Sequence, residues 1–416
     1  MHMGLHVSVV AHAALVGTWI IGAEGLAAAQ APADPREQAR SHVGPFYATP
    51  TVTLEELGLD TNVFNTSDPK ADFTSTLVPH ADVWVPLGQR GLITTSSTVS
   101  LIYYQAFTSE RSINPAVSLR GDLRLNRLTL FGNGAYSRSR RRPNLEIDAR
   151  AQHEQTGVEA GLTVKMTERL SLALSAIESH LAFDQDATYN SVSLQETLNQ
   201  RMRSASSAVR YELTPLTRVF VRAQVGEDRF PFSPVRNADS ASLVPGVEFQ
   251  PRALISGSAA VGVRRFQPHD SSLPDNTGVV ATANLAYSLR TATRFRFTAT
   301  HDLAYSYSDT QPYYGLAAYG LAVTRHLGGR FSLTASGDWE THNYRRLTTA
   351  AVPQASAPLP AAVDRIRMWS ASMGYRLARS RRLGFGASYR QRDSNSTEIN
   401  GHYSGLRIMA TVDSEL

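Results

Sequence analysis

Charged side chains recur at alternate positions within otherwise apolar segments of this 416-residue chain. Arg120, Asp122 and Arg124 follow this rule, as do Arg222, Asp228, Glu248, Arg264, Arg296 and Asp302. Asp338, Glu340, Arg390, Arg392 and Arg407 complete the set. Guanidinium and carboxylate groups placed this way can pair with one another or hold fixed charge against a solute. Bond-making chemistry has little footing. There is no G-x-x-x-x-G-K-[ST], no G-x-S-x-G and no H-E-x-x-H. His153, His180, His301 and His342 have no partner at metal-ligand spacing and read as loop or rim residues. Hydrolysis at a lipid surface would need a Ser–His pair on an apolar wall, whereas Ser336 and His342 share the polar parity of their segment. No catalytic residue, metal or cofactor is expected. The run Ser139-Arg140-Arg141-Arg142 reads as a solvated basic loop, with lipopolysaccharide phosphates as the alternative partner.

Composition narrows the class. The net charge is +5, almost wholly from Arg, since Lys occurs only at Lys70 and Lys165. Basic residues are not interleaved with aromatics as a nucleic-acid groove requires, so no nucleic-acid partner is expected. The absence of cysteine excludes disulfide scaffolds, thiolate metal sites and cysteine nucleophiles. Mean hydropathy is −0.23, and only Val7 to Ala23 forms a long apolar run, which excludes a polytopic α-helical membrane protein. That run, followed by Gly25-Leu26-Ala27-Ala28-Ala29-Gln30, reads as a signal peptide over 1–29, cut near Ala29; a single membrane anchor is the alternative. Residues 30–48 read as a short periplasmic lead-in.

The charged positions need elements that hold them on one wall, and the period of the sequence supplies these. From about Pro50 onward hydrophobicity repeats every two residues. In Arg294-Phe295-Arg296-Phe297-Thr298-Ala299-Thr300, continuing through Leu303, Tyr305 and Tyr307, the odd positions are apolar and the even ones polar. Successive strand residues point to opposite faces, so each such segment has an apolar and a polar wall. The pattern predicts strands at 50–63, 72–86, 91–107, 115–125, 127–138, 152–165, 168–182, 195–213 and 217–229. It continues at 240–250, 252–266, 277–290, 292–308, 313–326, 330–344, 363–378, 381–393 and 401–413. Connections alternate between short ones, such as Leu327-Gly328-Gly329, and long ones, such as Ser139 to Ala151 and Leu347 to Ala362. This sorting by length favours an all-β, single up-and-down antiparallel transmembrane barrel of about 18 strands over 49–416. A soluble sandwich would alternate too, but would not sort its loops. Tyr103, Tyr136, Tyr305, Tyr307, Trp339, Tyr375 and Tyr389 are expected in interfacial girdles. The charged set is then expected to line the interior, where charge costs little, and Trp84, Phe131 and Phe220 are expected to face inward with it. The chain ends on Leu416 rather than the aromatic residue that closes many outer-membrane barrels.

Leu57-Gly58-Leu59-Asp60-Thr61-Asn62-Val63-Phe64-Asn65, Ser67-Asp68 and Leu77-Val78-Pro79 resemble the opening strands of the putative β-barrel porin 2 family. The resemblance implies an outer-membrane pore of the Gram-negative envelope, with export of exopolysaccharide or capsule polysaccharide as the favoured role. A non-selective diffusion porin and a structural or adhesion barrel are the rivals. Expected partners are outer-membrane lipid and lipopolysaccharide, a polysaccharide substrate and periplasmic export components.

Overall fold

Alternation of side chains across a pleated strand leaves an apolar face that must be covered or must meet lipid. In this chain it wraps around the outside of a closed sheet. The computed structural model describes residues 39–251, 253–290, 292–345, 362–378, 380–395 and 401–415. The expected leader, residues 30–38 of the lead-in and the connection 346–361 lie outside the described residues.

Eighteen long strands form the barrel. They are β1 (Phe46–Asp60), β2 (Asp72–Leu87), β3 (Gly91–Tyr104), β4 (Ser112–Arg124), β5 (Leu128–Arg141) and β6 (Ala151–Lys165). Next come β7 (Leu170–Phe183), β8 (Gln200–Thr214), β9 (Thr217–Arg229), β10 (Ala238–Phe249), β11 (Ile255–Pro268) and β12 (Asn276–Leu289). The last are β13 (Thr293–Tyr305), β14 (Tyr313–Leu327), β15 (Phe331–Arg345), β16 (Val363–Ala378), β17 (Arg381–Ser394) and β18 (Tyr403–Glu415). Each pairs antiparallel with the next, and β18 returns to β1 from Thr51↔Glu415 to Asp60↔Arg407, which closes the sheet. Closure leaves no strand edge in the barrel. The expected strand count and the alternation of connections are both found. The short turns are tight: in the three-residue connection 328–330, Gly328 and Gly329 both take positive φ (57° and 73°), which glycine adopts without strain.

At the other end the connections are longer: L1 (61–71), L2 (105–111), L3 (142–150), L4 (184–199), L5 (230–237), L6 (269–275) and L7 (306–312). L4 holds a small hairpin and one helical turn, α1 (Leu194–Leu198), whose Glu196 N–H donates to the Ser193 hydroxyl at 3.3 Å. The strand expected from 195 therefore starts only at Gln200.

Parity assigns the faces. In β9, Val221 and Val225 are exposed, whereas Arg218, Phe220 and Asp228 are buried. The outward set continues around the barrel through Val158, Leu174, Val261, Phe385 and Ile408. So large an exposed apolar band fits contact with lipid. Tyr103, Tyr136, Trp339 and Tyr389 are exposed on the same outer face. Tyr305 and Tyr307 do not join this girdle. Tyr305 packs on Phe230 and donates to Asp228 Oδ2 at 2.7 Å, and Tyr307 is buried beneath L4, stacked edge-on to Tyr189. The parity of β13 stops governing its neighbours once the chain leaves the sheet and L7 folds inward.

One bulge breaks the parity of β1. Glu56 (φ 52°) opens register shifts against both neighbouring strands. Bulges re-aim side chains, and here Glu55 and Glu56 both face the interior.

Candidate functional site

L3 folds across the interior to the opposite wall. Its turn starts at Pro143-Asn144, where the Asn144 carboxamide oxygen accepts from the N–H groups of Glu146 (3.0 Å) and Ile147 (2.9 Å). Ile147 then packs with Phe183, Leu194, Leu198 and Tyr307, which ties L3 to L4 and L7. Arg392 of β17, fully buried, donates to Asp148 Oδ2 at 2.6 Å, to the Glu146 carbonyl at 3.0 Å and to Asp364 Oδ2 at 2.5 Å. Asp148 Oδ1 also accepts from Asn65 Nδ2 at 2.8 Å and from the Tyr403 hydroxyl at 3.1 Å. A buried guanidinium between two carboxylates is strongly paired, and removing any one partner leaves an uncompensated charge.

The rest of L3 is held the same way. Arg142 and Arg150 both donate to the Val63 carbonyl of L1, at 2.7 and 2.9 Å, and Arg150 reaches Glu110 of L2 at 3.2 Å. Burial, reinforced by Arg150, lowers the Arg142 guanidinium to about 10. The expected solvated basic loop is thus corrected: Ser139 to Arg141 end β5, and Arg142 turns inward as a structural anchor. Glu146 is fully buried; Ser306 Oγ of L7 donates to its Oε1 at 2.5 Å, and its Oε2 has no hydrogen-bond partner among the described residues. Burial, the largest influence, pushes this carboxyl up to about 7.

The interior holds two cavities, and the first borders this loop. One, of about 330 Å³, lies along β5–β13 and is lined by Pro143, Glu159, Arg210, Arg222, Asp228 and Arg264, among others. The other, of about 350 Å³, lies along β1 and β14–β18 and is lined by Glu56, Asp60, Arg376, Arg382, Arg390 and Arg407, among others.

The charged residues singled out by parity all lie opposite the exposed apolar positions of their strands, and most are paired. Arg120 holds Asp122 at 2.8 Å, and Arg124 ends β4 beside them. Glu248 receives Arg218 at 3.3 Å, while Arg264 bridges Asp302 at 3.0 Å and Asp228 at 4.0 Å. Arg407 donates to Asp60 at 2.9 Å, and Glu340 contacts buried His342 at 2.6 Å. Asp338 sits against Gly320, which leaves room for its carboxylate. Arg392 belongs to the L3 latch described above. Arg222, Arg296 and Arg390 form no ion pair among the described residues; the Arg222 guanidinium lies 5.5 Å from the Phe220 ring. Ser336 bonds Ser370 (2.8 Å), not His342, so the two do not form a hydrolytic pair.

Phe131 and Phe220 face inward but lie against the wall over glycines. A Cβ at Gly161 would meet Phe131 at 2.5 Å, and one at Gly246 would meet Phe220 at 2.4 Å. Sequence reasoning missed Asp148, Glu146, Asp364, Glu56 and Arg210. Arg210 and Asp364 carry the parity signal; the loop residues and the bulged Glu56 carry none.

A family model described as putative beta-barrel porin 2 matches residues 34–416, and the chain belongs to that family. It is an outer-membrane-type porin barrel. No curated protein sequence matches it. Among solved structures, it is similar to a BenF-like porin from Pseudomonas fluorescens Pf-5 (12% identity, TM-score 0.48), covering 89% of this chain and 99% of that one. It is also similar to Pseudomonas aeruginosa OccK2 (OpdF), at 13% identity and TM-score 0.46, covering 89% and 98%. A third is the siderophore receptor PirA from Pseudomonas aeruginosa, at 8% identity and TM-score 0.44, covering 91% and 81%.

Proposed function

We propose that the protein conducts small hydrophilic solutes across the bacterial outer membrane after removal of its signal peptide, with the long connections facing outward. The observation that carries this is the sorting of side chains in a closed barrel: apolar positions outside, charged positions inside, and two cavities along the inner wall, one of them bordering the inward-folded L3. Small solutes fit better than a polymer, because L3 is pinned by a buried ion cluster and Phe131 and Phe220 lie flat. Lipopolysaccharide contact is supported by an outward belt of paired charges at the long-loop ends of β7–β10, including Arg203 with Glu178 and Glu227, and Arg229 with Asp239.

Polysaccharide export is the second reading. It is favoured by Tyr47 and Trp84, cross-strand partners on the interior parity at the short-turn end, a surface on which sugar rings stack. Liposome swelling with purified protein tests the first reading. Monosaccharides are expected to enter and long oligosaccharides to be excluded; impermeability to both overturns it. Loss of surface polysaccharide in cells lacking the protein, together with no monosaccharide uptake, moves the second reading ahead.

A further inference from the structure

We infer that Arg210 and Arg222 form an oxyanion-binding subsite on the inner wall, a seat for the carboxylate or phosphate group of a passing solute. The inference rests on the channel reading and names the solute chemistry that the channel selects. Register places Arg210 opposite Phe220 and Ala208 opposite Arg222. The two arginines are therefore diagonal neighbours on one face, with Cα atoms about 7–8 Å apart, within reach of long side chains. Both line the cavity along β5–β13.

The neighbouring carboxylates are already engaged. Glu212 and Glu248 pair with Arg218 at 2.9 and 3.3 Å, and neither forms an ion pair with Arg210 or Arg222 among the described residues, although the Glu248 charge is felt at Arg210. Arg210 is 2% exposed, its Nε has no hydrogen-bond partner, and it forms no ion pair among the described residues. A buried guanidinium donor without an acceptor is costly unless something accepts from it. The ring between the two arginines stands aside, because Phe220 leans over Gly246 of β10, away from β8. The acids of the same cavity lie further along the wall. Glu159 shares a lateral row with Ile177, Ser204 and Gly226, four residues beyond Arg222, and Asp228 is held by Tyr305 and Arg264. Two adjacent guanidiniums that form no ion pair among the described residues suit a planar or tetrahedral oxyanion, which accepts several N–H donors at once.

The test measures binding of inorganic phosphate and, separately, succinate to the detergent-folded protein by calorimetry, with glucose as the neutral control, alongside single-channel conductance in KCl. Wild type should bind at least one of the two anions and not glucose, with affinity falling as salt rises. Which anion binds tighter assigns phosphate or carboxylate. Arg222→Gln should weaken binding roughly tenfold or more, the size expected for a lost charged hydrogen bond. Arg210→Lys should retain part of it, and Arg296→Gln should leave it unchanged. Heat-dependent gel migration confirms that each variant is folded. Equal binding in Arg222→Gln, or no anion binding by a channel that conducts, overturns the subsite. Anion binding that depends on Arg222 in a protein that does not conduct upholds the subsite while defeating the channel reading.

Discussion

Glu146 gives L3 a pH dependence whose size follows from its surroundings. The largest influences on this carboxyl besides burial are Ser306, His342, Arg392 and Asp364, with the first three favouring its charged form and Asp364 opposing it. Burial outweighs them all and raises it from 4.5 to about 7. When L3 is released into water, the carboxyl returns toward its ordinary value. Docked L3 thus holds a proton that released L3 gives up between these values. The Glu146 contribution to docking is greatest below about pH 4.5, falls as pH rises, and above about 7 is smaller by about 3 kcal/mol, a few hundredfold in the docking equilibrium. Single-channel recordings in planar bilayers at pH 5 and pH 8 read this directly. Excursions to a larger conductance should be rare at pH 5 and far more frequent at pH 8. Glu146→Gln, which cannot ionise, should keep the low frequency at both. The reasoning is refuted by excursions that increase at acid pH, or by Glu146→Gln retaining the wild-type pH response.

The other predictions concern packing. Arg392→Met leaves Asp148 and Asp364 without their shared cation; L3 docking should lose about 3–5 kcal/mol, seen as trypsin cleavage at Arg142 or Arg150 under conditions in which wild type stays intact. Gly246→Ala should lower the unfolding free energy, read from urea titration, by about 1–3 kcal/mol, because its methyl would meet Phe220 Cζ at 2.4 Å and the Ala259 carbonyl at 2.8 Å. Adding Phe220→Leu should recover part of that loss.

The barrel was legible because its information is local. A period of two, repeated from β1 to β18, marks both walls without any long-range contact, and a hairpin turn such as Gly328-Gly329 is written in adjacent residues. Arg222, Arg296 and Arg390 were legible as lying on the parity opposite the apolar wall for the same reason. What closes the interior was not. Asp148 and Arg392 are 244 residues apart, and nothing near either one marks the other as its partner. L3 reads as a polar loop until the far wall is known. Tyr305 and Tyr307 continue an apolar parity in sequence but belong to the loop cluster in space. Glu56 lies at a bulge, where one extra residue reverses the rule that placed its neighbours.

The central claim, that the interior of this barrel is the permeation path, is most directly tested by charged thiol reagents. The chain has no cysteine, so single introduced thiols report without background. Gln224 lines the β5–β13 cavity, and its neighbour Val225 is 60% exposed on the apolar outer face. Ion current through Gln224→Cys should fall on addition of a charged methanethiosulfonate, while current through Val225→Cys should not change. Block at residue 225, or no current from either protein, contradicts the account.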